Sequence, residues 1–112
     1  MKKVLLIATL STLLYSSCTF EKTEALTLGC DTTISYSTDI QPIIDSKCVS
    51  CHTTGASQGD FQIYAVVKSK VDNGAFQNRL FTLKDMPQGG PALPEEELRK
   101  LKCWVEQGAL NN

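Results

Sequence analysis

The sequence is poor in net positive charge, in long hydrophobic segments and in histidine. Its 112 residues hold 11 Lys and Arg against 12 Asp and Glu, and the formal net charge of -1 offers no basic field to nucleic acid, so we expect no nucleic-acid partner. The apolar run at residues 4–14 is too short to span a bilayer comfortably. A hydrophobic fraction of 42% and a charged fraction of 21% fit one small globular domain.

The first 17 residues have the pattern of a bacterial export signal. Two lysines precede the apolar run, and Ser16 and Ser17 stand directly before Cys18. This arrangement resembles a lipoprotein cleavage site, at which the cysteine receives a diacylglycerol and the chain is cut in front of it. An ordinary signal-peptidase site nearby, with Cys18 left free or paired, is the alternative. We expect residues 1–17 to be a signal peptide and residues 18–29 to be a tether that anchors an exported domain to a bacterial membrane, in the periplasm or at the cell surface.

The remaining residues, 30–112, predict an all-α domain. Apolar residues recur at helical spacing in four segments, about 38–49, 64–71, 75–83 and 94–107. The segment DMPQGGP, residues 85–91, is too rich in Pro and Gly to be helical and is predicted to be a loop. No strand pattern and no internal repeat occurs in the sequence. Glu95, Glu96 and Glu97 are expected to favour the start of the last helix and to be solvated.

The stretch KCVSCH, residues 47–52, contains two of the five cysteines and the single histidine. Cys48, Cys51 and His52 have the spacing C-x-x-C-H, which is the attachment signature of c-type haem. In such sites the thiols bond to the porphyrin vinyl groups and the adjacent histidine ligates the iron. At the end of a helix this spacing lets both sulfur atoms reach one edge of the same macrocycle.

Two other kinds of site use closely spaced cysteines. A thioredoxin-type redox motif needs a βαβ context, which this sequence lacks, and it gives the following histidine no task. A structural zinc site needs four ligands and would have to include the distant Cys30 or Cys103. Haem attachment is therefore the favoured interpretation.

Met86 is the candidate for a second iron ligand. With one histidine in the chain, two histidines cannot both ligate the iron, and Met86 is the only methionine outside the signal peptide. It lies in the predicted loop, where a thioether can approach a metal without the constraint of a helix. The alternative is a methionine that fills a gap in the core.

Three motifs in a fixed order resemble a small class I cytochrome c domain of the short bacterial type. They are CVSCH at residues 48–52, MPQGG at 86–90 and WVEQGA at 104–109, and the resemblance covers about residues 36–110. It implies that one haem c is bound covalently by Cys48 and Cys51, with iron ligated by His52 and Met86. It also implies that the first and last helices pack across each other, and Trp104 on the last helix is expected to be a core residue.

The sequence departs from the family at the residue that orients the histidine. Many members carry a proline soon after the motif, and its carbonyl oxygen accepts the Nδ1 proton of the histidine. Here no proline lies between Pro42 and Pro87. Thr53, Thr54 or a loop carbonyl are the candidate partners of His52.

Two cysteines remain without a role, Cys30 before the first predicted helix and Cys103 on the last. In an oxidising compartment such a pair suggests a disulfide, and two separately buried thiols are the alternative. A bond that closes so long a loop would stabilise the domain by about 4 kcal/mol in the chain-entropy model.

These expectations together favour a monohaem electron carrier, tethered to a membrane, that exchanges electrons with periplasmic or membrane redox proteins. Iron with two protein ligands has no open position, and no nucleophile triad or paired carboxylates suggest an enzyme or a small-molecule substrate. Two other functions remain open. One is a haem-based gas sensor or binding module in which Met86 is displaced, and the other is a structural lipoprotein domain without haem.

Overall fold

The computed structural model describes residues 29–112, and this part of the chain is helical without a β-strand. Four helices follow one another: α1, Tyr36–Ile40 continuing as Gln41–Lys47; α2, Tyr64–Asp72; α3, Ala75–Gln77 continuing as Asn78–Thr82; and α4, Glu95–Glu106. The predicted all-α class is confirmed for these residues. The predicted signal peptide, the tether up to residue 28 and Cys18 lie outside the described residues. None of the four helices is long and apolar enough to cross a membrane.

Local sequence signals account for where the helices begin and end. Ser35 precedes α1, and its hydroxyl accepts a hydrogen bond from the backbone N–H of Thr38. Gly74 separates α2 from α3 with a φ of 80°, a conformation that glycine adopts without steric cost. Pro94 precedes α4, whose first turn is acidic. Each end therefore falls within two residues of the position predicted from periodicity.

The core lies where the start of α1 packs against α4. Its fully buried side chains are mostly large and apolar: Ile40, Ile44, Val67, Leu101, Cys103 and Trp104. The indole N–H of Trp104 donates to the carbonyl oxygen of Leu110 at 2.9 Å, which satisfies its one polar atom. The ring of Tyr36 lies 5.5 Å from the Trp104 ring, centroid to centroid. The prediction that Trp104 is a core residue is confirmed.

The two ends of the described chain are joined beside α4. Cys30 and Cys103 lie at disulfide-bonding distance, with their Cα atoms 5.3 Å apart, as the predicted pairing requires. The backbone N–H of Ile34 donates to the side-chain oxygen of Gln107 at 2.8 Å. The backbone N–H of Tyr36 donates to the side-chain oxygen of Asn112, also at 2.8 Å. These bonds hold the segment before α1 against the C-terminus.

Candidate functional site

Residues 48–52, here called the CVSCH turn, follow directly on the end of α1. The N–H of Cys48 donates to the carbonyl of Ile44 at 2.8 Å, which extends the helical hydrogen bonding by one residue. The carbonyl of Cys48 then accepts from the N–H groups of both Cys51 and His52, at 3.1 and 2.9 Å. This tight turn keeps two thiols and one imidazole close together at the end of a single helix.

Residues 83–94, here called the Met86 loop, connect α3 to α4. Its first part is fastened to α3 by two bonds between Arg79 and Asp85. The N–H of Asp85 donates to the carbonyl of Arg79 at 3.1 Å, and the guanidinium Nε donates to the Asp85 carboxylate at 2.7 Å. Met86 follows immediately, is half-buried and packs against the core. The two bonds at Asp85 therefore fix the backbone directly before Met86.

The CVSCH turn and the Met86 loop line the same cleft, which has a volume of about 990 Å³. Cys48, Cys51, His52 and Met86 all line it, so the structure brings together every residue that the sequence predicted for the cofactor. The cleft lies near the upper end of the roughly 300–1,000 Å³ that ligand pockets occupy. Its size suits a large cofactor.

Other walls of the cleft are apolar and come from residues that the sequence analysis missed. Phe61, Phe76 and Leu80 line the cleft and are each at least 92% buried. Phe76 and Leu80 are four residues apart, so the periodicity of α3 could have identified them as one helical face. Phe61 lies in a loop, and no local pattern in the sequence indicated it.

The charged residues of the cleft have one sign. Lys47, Lys70 and Arg79 line it, whereas no Asp or Glu belongs to its described lining. The chain as a whole has a formal net charge of -1, so this asymmetry is local. It favours a ligand with negative charge. The three cations come from α1, α2 and α3, and only the fold brings them to one cleft.

The imidazole of His52 contacts an aromatic ring. It lies on the ring of Phe61, with centroids 4.1 Å apart and planes 16° from parallel. Its Nδ1 atom is buried and has no hydrogen-bond partner within residues 29–112. Thr53 instead accepts from the amide of Gln62 at 3.2 Å, and Thr54 donates to Asp60 at 2.8 Å. None of the candidate partners, Thr53, Thr54 or a loop carbonyl, bonds to Nδ1 in the described part of the chain.

The two cysteines of the turn differ in environment. Cys51 is exposed, whereas Cys48 is half-buried. Burial, and to a smaller extent the nearby carboxylate of Glu97, raise the pKa of the Cys48 thiol to about 11. A reactive redox cysteine needs the opposite, a lowered pKa that yields the thiolate. This environment does not favour the thioredoxin-type alternative.

The expectation that all three glutamates at the start of α4 are solvated is wrong for Glu97. Glu95 and Glu96 are exposed, as expected of solvating charges. Glu97 is half-buried, and its Oε2 atom has no hydrogen-bond partner in the described part of the chain. This carboxylate lies close enough to Cys48 to raise the pKa of its thiol.

The zinc alternative loses its distant ligands in this structure. Cys30 and Cys103 lie at bonding distance from each other, so neither is free to join Cys48 and Cys51. Within residues 29–112 no group of three or more His, Cys, Asp or Glu side chains could hold a metal ion.

The donor set of the cleft suits a haem. Two thiols, an imidazole and a thioether are the groups that attach and ligate haem c, and the large apolar walls suit its macrocycle. The chain has no match among protein-family models, curated proteins or solved structures.

Proposed function

We propose that the protein is a monohaem c-type cytochrome that carries single electrons and is held at a membrane by a lipid on Cys18. One observation carries the proposal: Cys48, Cys51, His52 and Met86, which the sequence motifs identify, line one cleft. These residues lie on two separate segments of the chain, the CVSCH turn and the Met86 loop, which the fold brings to one cleft. A common binding site accounts for this arrangement.

Each residue has one task in this proposal. The thiols of Cys48 and Cys51 would hold the haem through covalent bonds, and His52 and Met86 would ligate its iron. The bound haem supplies one-electron chemistry, because its iron alternates between the ferric and ferrous states. Since two side chains of the protein would ligate the iron, the site favours electron transfer over turnover of a substrate, and we propose no enzymatic activity.

The walls of the cleft support the same proposal. Phe76 and Leu80 offer apolar surface to a macrocycle and keep water from it. Lys70 and Arg79, among the lining cations, offer positive charge to the two carboxylates that a haem carries. An apolar cleft with positive charge and no described acidic lining fits an apolar ligand that carries carboxylates.

The proposed setting follows from the N-terminal sequence. An export signal before Cys18 and a lipid on that cysteine would place the domain in the periplasm or at the cell surface. Its partners are then periplasmic or membrane redox proteins, which exchange electrons with it without a small-molecule substrate.

A haem-based gas sensor is the second candidate, and the position of Met86 favours it. Met86 lies on a loop. Pro87 follows it, and the three residues after Pro87, Gln88 to Gly90, are exposed. A thioether on such a loop is easier to displace than one fixed on a helix. In a sensor, a diatomic gas would take the place of Met86.

Haem staining of a denaturing gel tests the proposal, with protein made in a host that has haem-attachment machinery. We expect a coloured band, its loss in a variant with both Cys48→Ala and Cys51→Ala, and its retention in the control Cys18→Ala. Carbon monoxide then separates the two haem functions, because a firmly six-coordinate carrier binds it poorly when reduced and a sensor binds it well. A colourless wild-type band would contradict both and favour a structural domain without haem.

A further inference from the structure

We propose that Phe61 is the positioning residue of His52, and that its ring fixes the imidazole in place of a hydrogen bond. This inference rests on the proposed function. A metal-ligating histidine almost always donates its second ring N–H to a carboxylate, a carbonyl or water, which fixes the ring orientation. His52 has no such partner among the described residues, although its Nδ1 atom is buried. Another contact must therefore orient the imidazole.

The stacking of the two rings is suited to this task. Their centroids lie 4.1 Å apart and their planes are only 16° from parallel. The two faces are thus in van der Waals contact, and rotation of the imidazole about its Cβ–Cγ bond would drive one ring into the other. Interiors of proteins are close-packed, so Phe61 cannot move aside without disturbing its own neighbours.

Phe61 is itself fixed relative to His52. Its side chain is 8% exposed and belongs to the core. Its backbone N–H donates to the carbonyl of His52 at 2.9 Å, so the same two residues are joined by the backbone and by their rings. Between them, Thr54 donates to the Asp60 carboxylate at 2.8 Å, which holds the connecting loop closed. These two hydrogen bonds fix the loop between His52 and Phe61, so the ring of Phe61 is held against the imidazole.

This arrangement has a consequence for the electronic character of the ligand. A hydrogen bond from the second ring nitrogen makes a ligating histidine more basic. Because Phe61 covers the imidazole and Nδ1 is buried without an acceptor among residues 29–112, His52 is a weaker electron donor than a hydrogen-bonded histidine. A weaker donor favours ferrous iron and a higher reduction potential.

Replacement of the ring in the holoprotein tests the inference. In Phe61→Leu the imidazole loses the surface that limits its rotation, and water gains access to Nδ1. We expect the electron paramagnetic resonance signal of the oxidised protein to broaden and the reduction potential to shift downwards. Phe61→Tyr retains an aromatic ring, so its resonance signal and its reduction potential should be close to those of the wild type. If Phe61→Leu fails to retain haem, Phe61→Met keeps a large apolar side chain without a ring and should show the same two changes.

Phe81→Leu is the matched control. Phe81 is half-buried and packs against the core, but it is not among the residues that line the cleft. A role in packing alone would give the same small changes in both Leu variants, whereas the inference expects the resonance signal to broaden only at position 61. Wild-type signal and potential in Phe61→Leu would overturn it.

A measurement on the wild type needs no variant. In the reduced holoprotein, nuclear Overhauser effects should connect the ring protons of His52 and Phe61, and their absence would overturn the inference. If the wild type is coloured and Phe61→Leu is unchanged, the inference fails while the proposed function stands. If the wild type carries no haem, both fail.

Discussion

At the scale of single residues, Met86 decides between the two haem functions that we propose. Its thioether reaches the cleft from the loop that Asp85 fastens to α3. A thioether ligand favours ferrous iron and raises the reduction potential, whereas a methionine that only fills space has no electronic effect. The two roles therefore differ in what the spectrum and the potential report.

We expect Met86→Ala to remove the weak long-wavelength sulfur-to-iron band of the oxidised protein, to lower the reduction potential and to allow carbon monoxide to bind the reduced haem readily. The reason is that the variant loses the ligand that stabilises ferrous iron and fills the sixth position. Met86→His is the control, since it should restore six-coordination at a lower potential. An unchanged spectrum, potential and carbon monoxide affinity in Met86→Ala would leave Met86 as core packing.

Gly59 is a residue whose replacement should cost stability for two reasons. Its φ is 106°, and a Cβ atom there would lie 2.7 Å from Cγ1 of Val66. Gly55→Ala is the matched control, because Gly55 has a φ of 84° but no described atom within 4 Å of such a Cβ. We expect Gly55→Ala to cost about 1–2 kcal/mol of unfolding free energy and Gly59→Ala to cost more. Denaturant unfolding of the holoproteins measures both, and equal losses would contradict the predicted clash.

At the scale of the elements, α1 delivers the CVSCH turn and α4 supports it. The N-terminus of α1 is stabilised by Asp39, whose carboxylate accepts from the N–H of Ser35 at 3.1 Å. The same residue pairs with Lys100 of α4 at 3.4 Å. The backbone bond from Ser35, and then the pairing with Lys100, lower the pKa of Asp39 below its usual 3.8.

This lowered pKa predicts a pH dependence of stability. The ionised Asp39 is more stable in the folded than in the unfolded protein, so its contribution is present above pH 3.8 and is lost as the pH falls through the lower folded value. We expect Asp39→Asn to be less stable than the wild type at pH 7, and the difference to shrink as the pH falls below about 4. Thermal unfolding across this range tests the prediction. A difference that does not change with pH would show that Asp39 acts without its charge.

The sequence predicted the elements well and the surroundings of the site only in part. The four helices follow from local periodicity and from Gly74 and Pro94, which act within a turn or two of the chain. Phe61, stacked on His52, could not be predicted, because its position depends on a loop that returns to its own starting point. Burial of Glu97 near Cys48 likewise depends on how α4 packs against α1.

At the scale of the whole molecule, the ends of the described chain are tied together. Removal of the Cys30–Cys103 bond should lower the unfolding free energy of the whole domain. Cys103 lies in the core at 1% exposure, and its bond with Cys30 closes most of the chain into one loop. We expect the double variant Cys30→Ser, Cys103→Ala to lose about 2–5 kcal/mol of unfolding free energy. Denaturant unfolding measures the loss, and wild-type protein in reductant is the control. An unchanged midpoint would contradict a stabilising bond.

The attachment to a membrane is a second property of the whole molecule. We expect Cys18→Ala to move the protein from the membrane fraction to the soluble exported fraction, because the proposed anchor is the lipid on this cysteine. Cell fractionation followed by a wash at high salt measures the change, and Cys30→Ser serves as a control that removes a different cysteine. Retention of Cys18→Ala on washed membranes would contradict the lipid anchor.

The intact mass of the purified wild-type protein, under denaturing and non-reducing conditions, tests the central proposal most directly. Covalent attachment through Cys48 and Cys51 predicts a mass increase of one haem per chain, with neither of these thiols available to an alkylating reagent. A chain without this added mass, in which Cys48 and Cys51 both react with the reagent, would contradict the assignment of the cleft as a haem c site.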